Sequence, residues 1–115
     1  MLETPKFIQG LYPFEGRGLE APLVFEPRIT YKVPFDKRSQ LIYLRAGNSC
    51  GEMIYLLFQR DGKPMRYFPV GAKGAVHVPL AVVEDILPDS SLEVLFAAPP
   101  GSKGHVLLDI GLVEI

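Results

Sequence analysis

Met53-Ile54-Tyr55-Leu56-Leu57-Phe58-Gln59-Arg60-Asp61-Gly62-Lys63-Pro64-Met65-Arg66-Tyr67-Phe68-Pro69-Val70 consists of two apolar runs joined by Asp-Gly. That dipeptide suits the positive φ angles of a type I′ turn, so the segment is expected to form a β-hairpin with a two-residue loop. Such a loop fixes the register. Arg60 then faces Lys63, Phe58 faces Met65, Leu56 faces Tyr67 and Ile54 faces Pro69 on one side of the ribbon. Leu57 faces Arg66, Tyr55 faces Phe68 and Met53 faces Val70 on the other. Both sides are largely apolar, which a sheet with one solvated face does not require. The second side (Met53, Tyr55, Leu57, Phe68 and Val70, with Arg66 among them) is expected to be covered by another layer or to contact a partner. Tyr, Met, Phe and Arg are the residue types that anchor protein interfaces.

Outward from the hairpin the same period of two continues in short runs broken by Gly, Pro, Asp, Asn and Ser. Ile29, Tyr31, Val33 and Phe35 alternate with Arg28, Thr30 and Lys32. Further strands are expected at 41–45, 75–80, 92–97 and 105–114, and the single credible helix, one or two turns long, near 81–87. The 115 residues include 11 Gly and 11 Pro, which is incompatible with a long helical bundle. Seven or eight strands at this spacing predict one domain over residues 1–115, an all-β, antiparallel β-sandwich of immunoglobulin-like or jelly-roll-like kind. With no Trp and a single Cys, the Cys…Trp…Cys pattern of a true immunoglobulin domain is missing.

Residues 1–22 depart from this pattern. Gly10, Pro13, Gly16, Gly18 and Pro22 surround Leu11, Tyr12, Phe14 and Arg17, so a partly irregular N-terminal arm is expected. Irregular segments of this length inside a compact domain are usually functional or disordered. Tyr12, Phe14 and Arg17 therefore join Met53, Tyr55, Leu57, Arg66 and Phe68 as the expected interaction residues.

Catalytic and metal chemistry find little support in residue spacing. Cys50 precedes His77 and His105 by more than 25 positions, unlike the clustered ligands of a copper loop. His105 and Asp109 stand about 13 Å apart along one strand. Cys50 lies in a loop with nothing in the sequence to bring a base beside it, and there is no G-x-S-x-G elbow. Glu84 and Asp85 in the expected short helix, with Asp89 and Glu93 nearby, form an acidic cluster that a solvated helix with acids near its start explains. Gly71-Ala72-Lys73-Gly74 looks like an anion nest, but no helix follows it. Catalytic residues, metals and cofactors are accordingly none.

The net charge is −1. Residues 1–60 hold eight basic and six acidic side chains against four and seven in 61–115, too small an asymmetry for nucleic-acid binding. No stretch approaches the roughly 18 consecutive apolar residues of a membrane helix, the N-terminus lacks the apolar run of a signal peptide, and one unpaired thiol suits a reducing compartment. The expected location is the cytoplasm. Gly10 to Gly18, Leu44 to Gly47 and Asp61 to Pro64, under a fifth of the chain, resemble the small cytoplasmic β-sandwich family of sensory rhodopsin transducers. The resemblance implies a cytoplasmic sandwich and assigns no residue a role. The function expected is a non-catalytic interaction module acting through a protein partner or self-association as a homo-oligomer. A small polar ligand, carbohydrate or anion, is the alternative, with Tyr12, Phe14, Tyr55 and Tyr67 as the available platforms. A small hydrolase or thiol enzyme ranks below both.

Overall fold

Alternation of apolar and polar side chains is realised in nine strands in the computed structural model, which describes residues 3–80 and 84–115. They are β1 Thr4–Glu15, β2 Leu23–Lys32, β3 Ser39–Asn48, β4 Ile54–Arg60, β5 Lys63–Val70, β6 Ala75–Pro79, β7 Asp85–Ile86, β8 Ser91–Ala97 and β9 Lys103–Glu114. One sheet runs β1-β9-β3-β6, with β7 also on β3; the other runs β2-β8-β4-β5. Every pairing is antiparallel. The first strand lies beside the last, and apart from β4-β5 no main-path neighbours follow one another in sequence. This is the strand order of a jelly roll, in which the chain passes repeatedly between the two sheets. No described residue is helical; of the expected helix, 81–83 lie outside the described residues, and Asp85–Ile86 pair with Ser39–Gln40 as a strand instead.

The inner faces meet in one apolar cluster. Phe25 stacks against Tyr12 at 5.3 Å and Phe96 at 4.7 Å, and Phe14 packs on Phe96 at 5.4 Å between ring centroids. Phe58 and Phe68 form a second aromatic pair at 5.2 Å. Tyr31 links the two sheets. From β2 its hydroxyl reaches the hydroxyl of Ser39 on β3 at 2.6 Å and donates to the Glu114 carboxylate of β9 at 2.5 Å. Burial and the bond to Glu114 together push the Tyr31 hydroxyl up to about 12.

The expected irregular arm is corrected to a seven-residue connection. Through Glu15 the N-terminal segment is a regular strand paired along its whole length with β9. Gly10 and Pro13 fit it for separate reasons. A side chain at Gly10 would collide with the Tyr12 ring, at 2.8 Å from a Cβ. Pro13 lies on a sheet edge, where no partner strand asks for its missing N–H. The same rule holds for the whole molecule. Prolines inside strands occur at 5, 13, 27, 64, 69 and 79, all in β1, β2, β5 and β6, the strands that end the two main paths. The interior strands β9, β3, β8 and β4 contain none. Only residues 16–22 are irregular, and they are pinned: the Gly16 and Gly18 amides donate to Ser102 and Ala98, and Gly101 donates back to Gly16.

Candidate functional site

The hairpin forms with Asp61 and Gly62 at φ 51° and 79°, as its type I′ turn requires. Arg60 faces Lys63, and Glu84 approaches Arg60 at 3.8 Å to relieve that like-charged pair. Beyond the tip the register departs from expectation. Gln59 faces Pro64, but Phe58 faces Arg66, so Met65 is the extra residue of a β-bulge. Pro64 cannot supply a ladder N–H, and bulges are where sheets accommodate such a residue. A one-residue slip turns every later side chain over. Phe68 and Val70 consequently face inward with Ile54, Leu56 and Phe58, while Tyr67 faces outward with Tyr55 and Leu57.

This rearranges the expected interaction residues. Phe68 is 6% exposed and Phe14 is likewise buried, so both are core residues rather than surface anchors, and Tyr12 packs beside them. Tyr67, expected opposite Leu56 on the same side of the ribbon as Ile54 and Phe58, is instead on the other side and 58% exposed. Leu57 points to the outer face yet is only 3% exposed, closed in by its own neighbours. Tyr55 is half-buried; its ring lies 5.7 Å from that of Tyr67, and its hydroxyl donates to the Leu19 carbonyl at 2.7 Å. Arg66 is occupied by Glu84 at 3.3 Å. Met53 remains exposed, as does Arg17, which lines shallow clefts beside the 16–22 connection.

A different surface carries more chemistry. On the outer face of the β1-β9-β3-β6 sheet, register places Gln9, Asp109, Arg45 and His77 in one row across four strands. The row is organised. Gln9 and Tyr43 both donate to Oδ1 of Asp109, at 3.1 and 2.9 Å. The Tyr43 ring lies over Gly111, where a Cβ would sit 2.1 Å from it. Arg45 lies 5.5 Å above that ring, and His77 meets it edge-on at 6.1 Å. The bond from Gln9 is the largest influence on Asp109. With Tyr43, Arg45 and His77 it holds the carboxyl below its ordinary value, against partial desolvation that raises it.

The next row on the same face is Leu11, Leu107, Gly47 and Ala75. Two large side chains are followed by none and by one methyl, and a trough of about 420 Å³ opens where they stop. Its floor is Gly47 and Ala75, Leu107 forms one wall, and Arg45, His77 and Asp109 form the rim. Nothing in the backbone forces glycine at 47: an added Cβ would meet only Leu107, at 3.8 Å. Alternation along β3 puts Tyr43, Arg45 and Gly47 on one face and was available from sequence. That β6 and β9 lie either side of them was not.

Of the groups considered for catalysis, pairing brings the Ser49-Cys50 loop beside His105, whose amide donates to the Ser49 hydroxyl at 2.8 Å and whose carbonyl accepts from the Ser49 amide at 3.1 Å, but the His105 side chain is exposed. Cys50 is buried in the core cluster. Its amide donates to Asn48 and its carbonyl accepts from Lys73. In the turn at 71–74 the Lys73 and Gly74 amides are both used by backbone carbonyls, so it presents no nest. Among the described residues no cluster of three or more His, Cys, Asp or Glu could hold a metal ion. No described helix is long and apolar enough to cross a membrane.

Fold and surface together define an antiparallel jelly-roll sandwich with a solvent-facing trough. Against known proteins, no family model matches the chain and no curated protein matches it. A crystal structure of an exo-β-1,3-galactanase from Phanerochaete chrysosporium, solved with galactose, is similar over 100% of this chain and 30% of its own, at 12% identity and a TM-score of 0.42. The chain thus spans less than a third of that enzyme, and similarity at this level assigns it neither ligand nor activity.

Proposed function

We propose that this chain is a non-catalytic binding module that takes a small polar ligand in the trough on the β1-β9-β3-β6 sheet. The observation that carries the reading is the juxtaposition of missing side chains at Gly47 and Ala75 with the hydrogen-bonded row of Asp109, Arg45 and His77. An apolar floor with a few placed polar groups is the usual make-up of small-molecule sites, and the volume falls within their span of roughly 300–1,000 Å³. Gly47→Leu tests it. The substitution fills the trough from a position with room for a side chain, so the folded protein should keep its stability and lose ligand-induced amide shifts at 45–47, 75–77 and 107–109. Shifts that persist unchanged would place binding elsewhere.

A partner contact on the opposite sheet is the second reading, supported by the exposed Tyr67 and Met53 beside Tyr55. Sedimentation of Met53→Ser/Tyr67→Ser checks it: self-association through this face predicts a fall in mass with the fold intact. Under either reading the module works in the cytoplasm, a location supported by its lone buried thiol.

A further inference from the structure

We infer that the trough takes a neutral polyhydroxylated ring, a pyranose in chemical class, gripped by one hydroxyl between Arg45 and Asp109. This deepens the proposed ligand-binding reading and rests on it. The Asp109 carboxylate is engaged on one oxygen. Both of its short hydrogen bonds, from Gln9 and Tyr43, fall on Oδ1. Among the described residues Oδ2 meets only the Arg45 Nη1, at 3.8 Å, which is too long for a hydrogen bond. The pair therefore offers an acceptor and a donor 3.8 Å apart.

A hydroxyl donates one hydrogen and accepts another, so a single oxygen can satisfy both partners. A carboxylate ligand would meet Asp109 with like charge. An ammonium ligand would meet Arg45. A neutral hydroxyl meets neither penalty, and His77, beside Arg45 on β6, can donate to or accept from a second hydroxyl on the same ring. Below the rim, Gly47, Ala75 and Leu107 present carbon to whatever lies on them. A pyranose has this division, with C–H groups on its faces and hydroxyls around its edge.

Arg45 is already positioned for the task. It makes no side-chain hydrogen bond among the described residues, and Tyr43 holds it by a cation–π contact at 5.5 Å. The guanidinium is thus oriented without its donors being consumed. Tyr43 is fixed in turn by its bond to Asp109 and its seat over Gly111.

Amide chemical-shift titration decides the matter, using the methyl glycosides of glucose, galactose, mannose and xylose, with methoxycyclohexane and glucuronate as comparison ligands. At least one neutral glycoside should move the trough amides saturably at millimolar concentration, and methoxycyclohexane and glucuronate should bind it more weakly. Arg45→Met and Asp109→Asn should each weaken the glycoside about tenfold or more, the loss expected for a hydrogen bond to a charged group. Tyr67→Ser, on the opposite sheet, should change nothing. Equal binding of methoxycyclohexane, or tighter binding of glucuronate, overturns the pyranose assignment and leaves the trough as a ligand site. No saturable shift from any of the six compounds overturns the trough reading as well.

Discussion

The two outer faces of this sandwich are built from similar residues and end in opposite states. On the β2-β8-β4-β5 sheet the outward apolar side chains are covered: Leu57, Leu95 and Ala97 are buried, and Tyr55 beside them is tied to the Leu19 carbonyl of the 16–22 connection. Tyr55 and Tyr67 stand beside Leu57, and Arg28 makes a bidentate bond to Glu93 at 2.7 and 2.6 Å. On the β1-β9-β3-β6 sheet the trough floor carries only Gly47 and the Ala75 methyl, and the leucines beside it, Leu11 and Leu107, stay exposed. A run of apolar letters therefore does not mark a binding surface. The first face hides its own carbon; the second has a gap beside organised polar groups.

The largest test of this contrast lies in the bulge that assigns residues to faces. Phe68→Ala should cost about 3–5 kcal/mol in urea unfolding, while Tyr67→Ala should stay within about 1 kcal/mol. The reverse order would restore the unbulged register. Next comes the difference in how each face treats leucine. Leu57→Ala should destabilise by about 2–4 kcal/mol, the range of a buried site, and Leu107→Ala by no more than about 0.5 kcal/mol, measured in the same way.

The seam that holds the faces back to back should yield a smaller effect. Tyr31→Phe leaves Ser39 and Glu114 short of a buried partner and should cost about 1–3 kcal/mol. Its pH signature has a definite sign. The Tyr31 proton is held more tightly in the folded state, so this contribution is complete below the ordinary tyrosine value near 10 and is lost as pH rises toward about 12. The variant should lose that alkaline sensitivity. The smallest effect concerns Asp109. Gln9→Ala should raise its carboxyl titration, observed by side-chain NMR. In the parent, the stability from this depressed carboxyl is present above the ordinary carboxylate range and lost as pH falls through the folded value.

Much of the architecture was legible because it is written locally. Asp61-Gly62 specifies its own turn, and alternation at 29–33 specifies a half-buried strand. What escaped was decided at a distance. Met65 becomes a bulge because Pro64 must be fitted against β4, and one displaced residue exchanged the fates of Tyr67 and Phe68. Gly10 and Pro13 resemble a loop in isolation; Tyr12 packing over the first, and an open edge beside the second, make them strand residues. The trough was hidden for the same reason. Gly47, Ala75 and Leu107 come from three strands whose adjacency is topological, and its key property is an absence of atoms, which no motif records.

The placement of proline at the margins has a further consequence. A fibril grows when one molecule's border strand templates the next by continuing the ladder of backbone bonds. Here each main-path border carries at least one residue that cannot join such a ladder. Proline at these borders disfavours growth of a continuous cross-β stack from the main-path edges when copies are crowded together at high density.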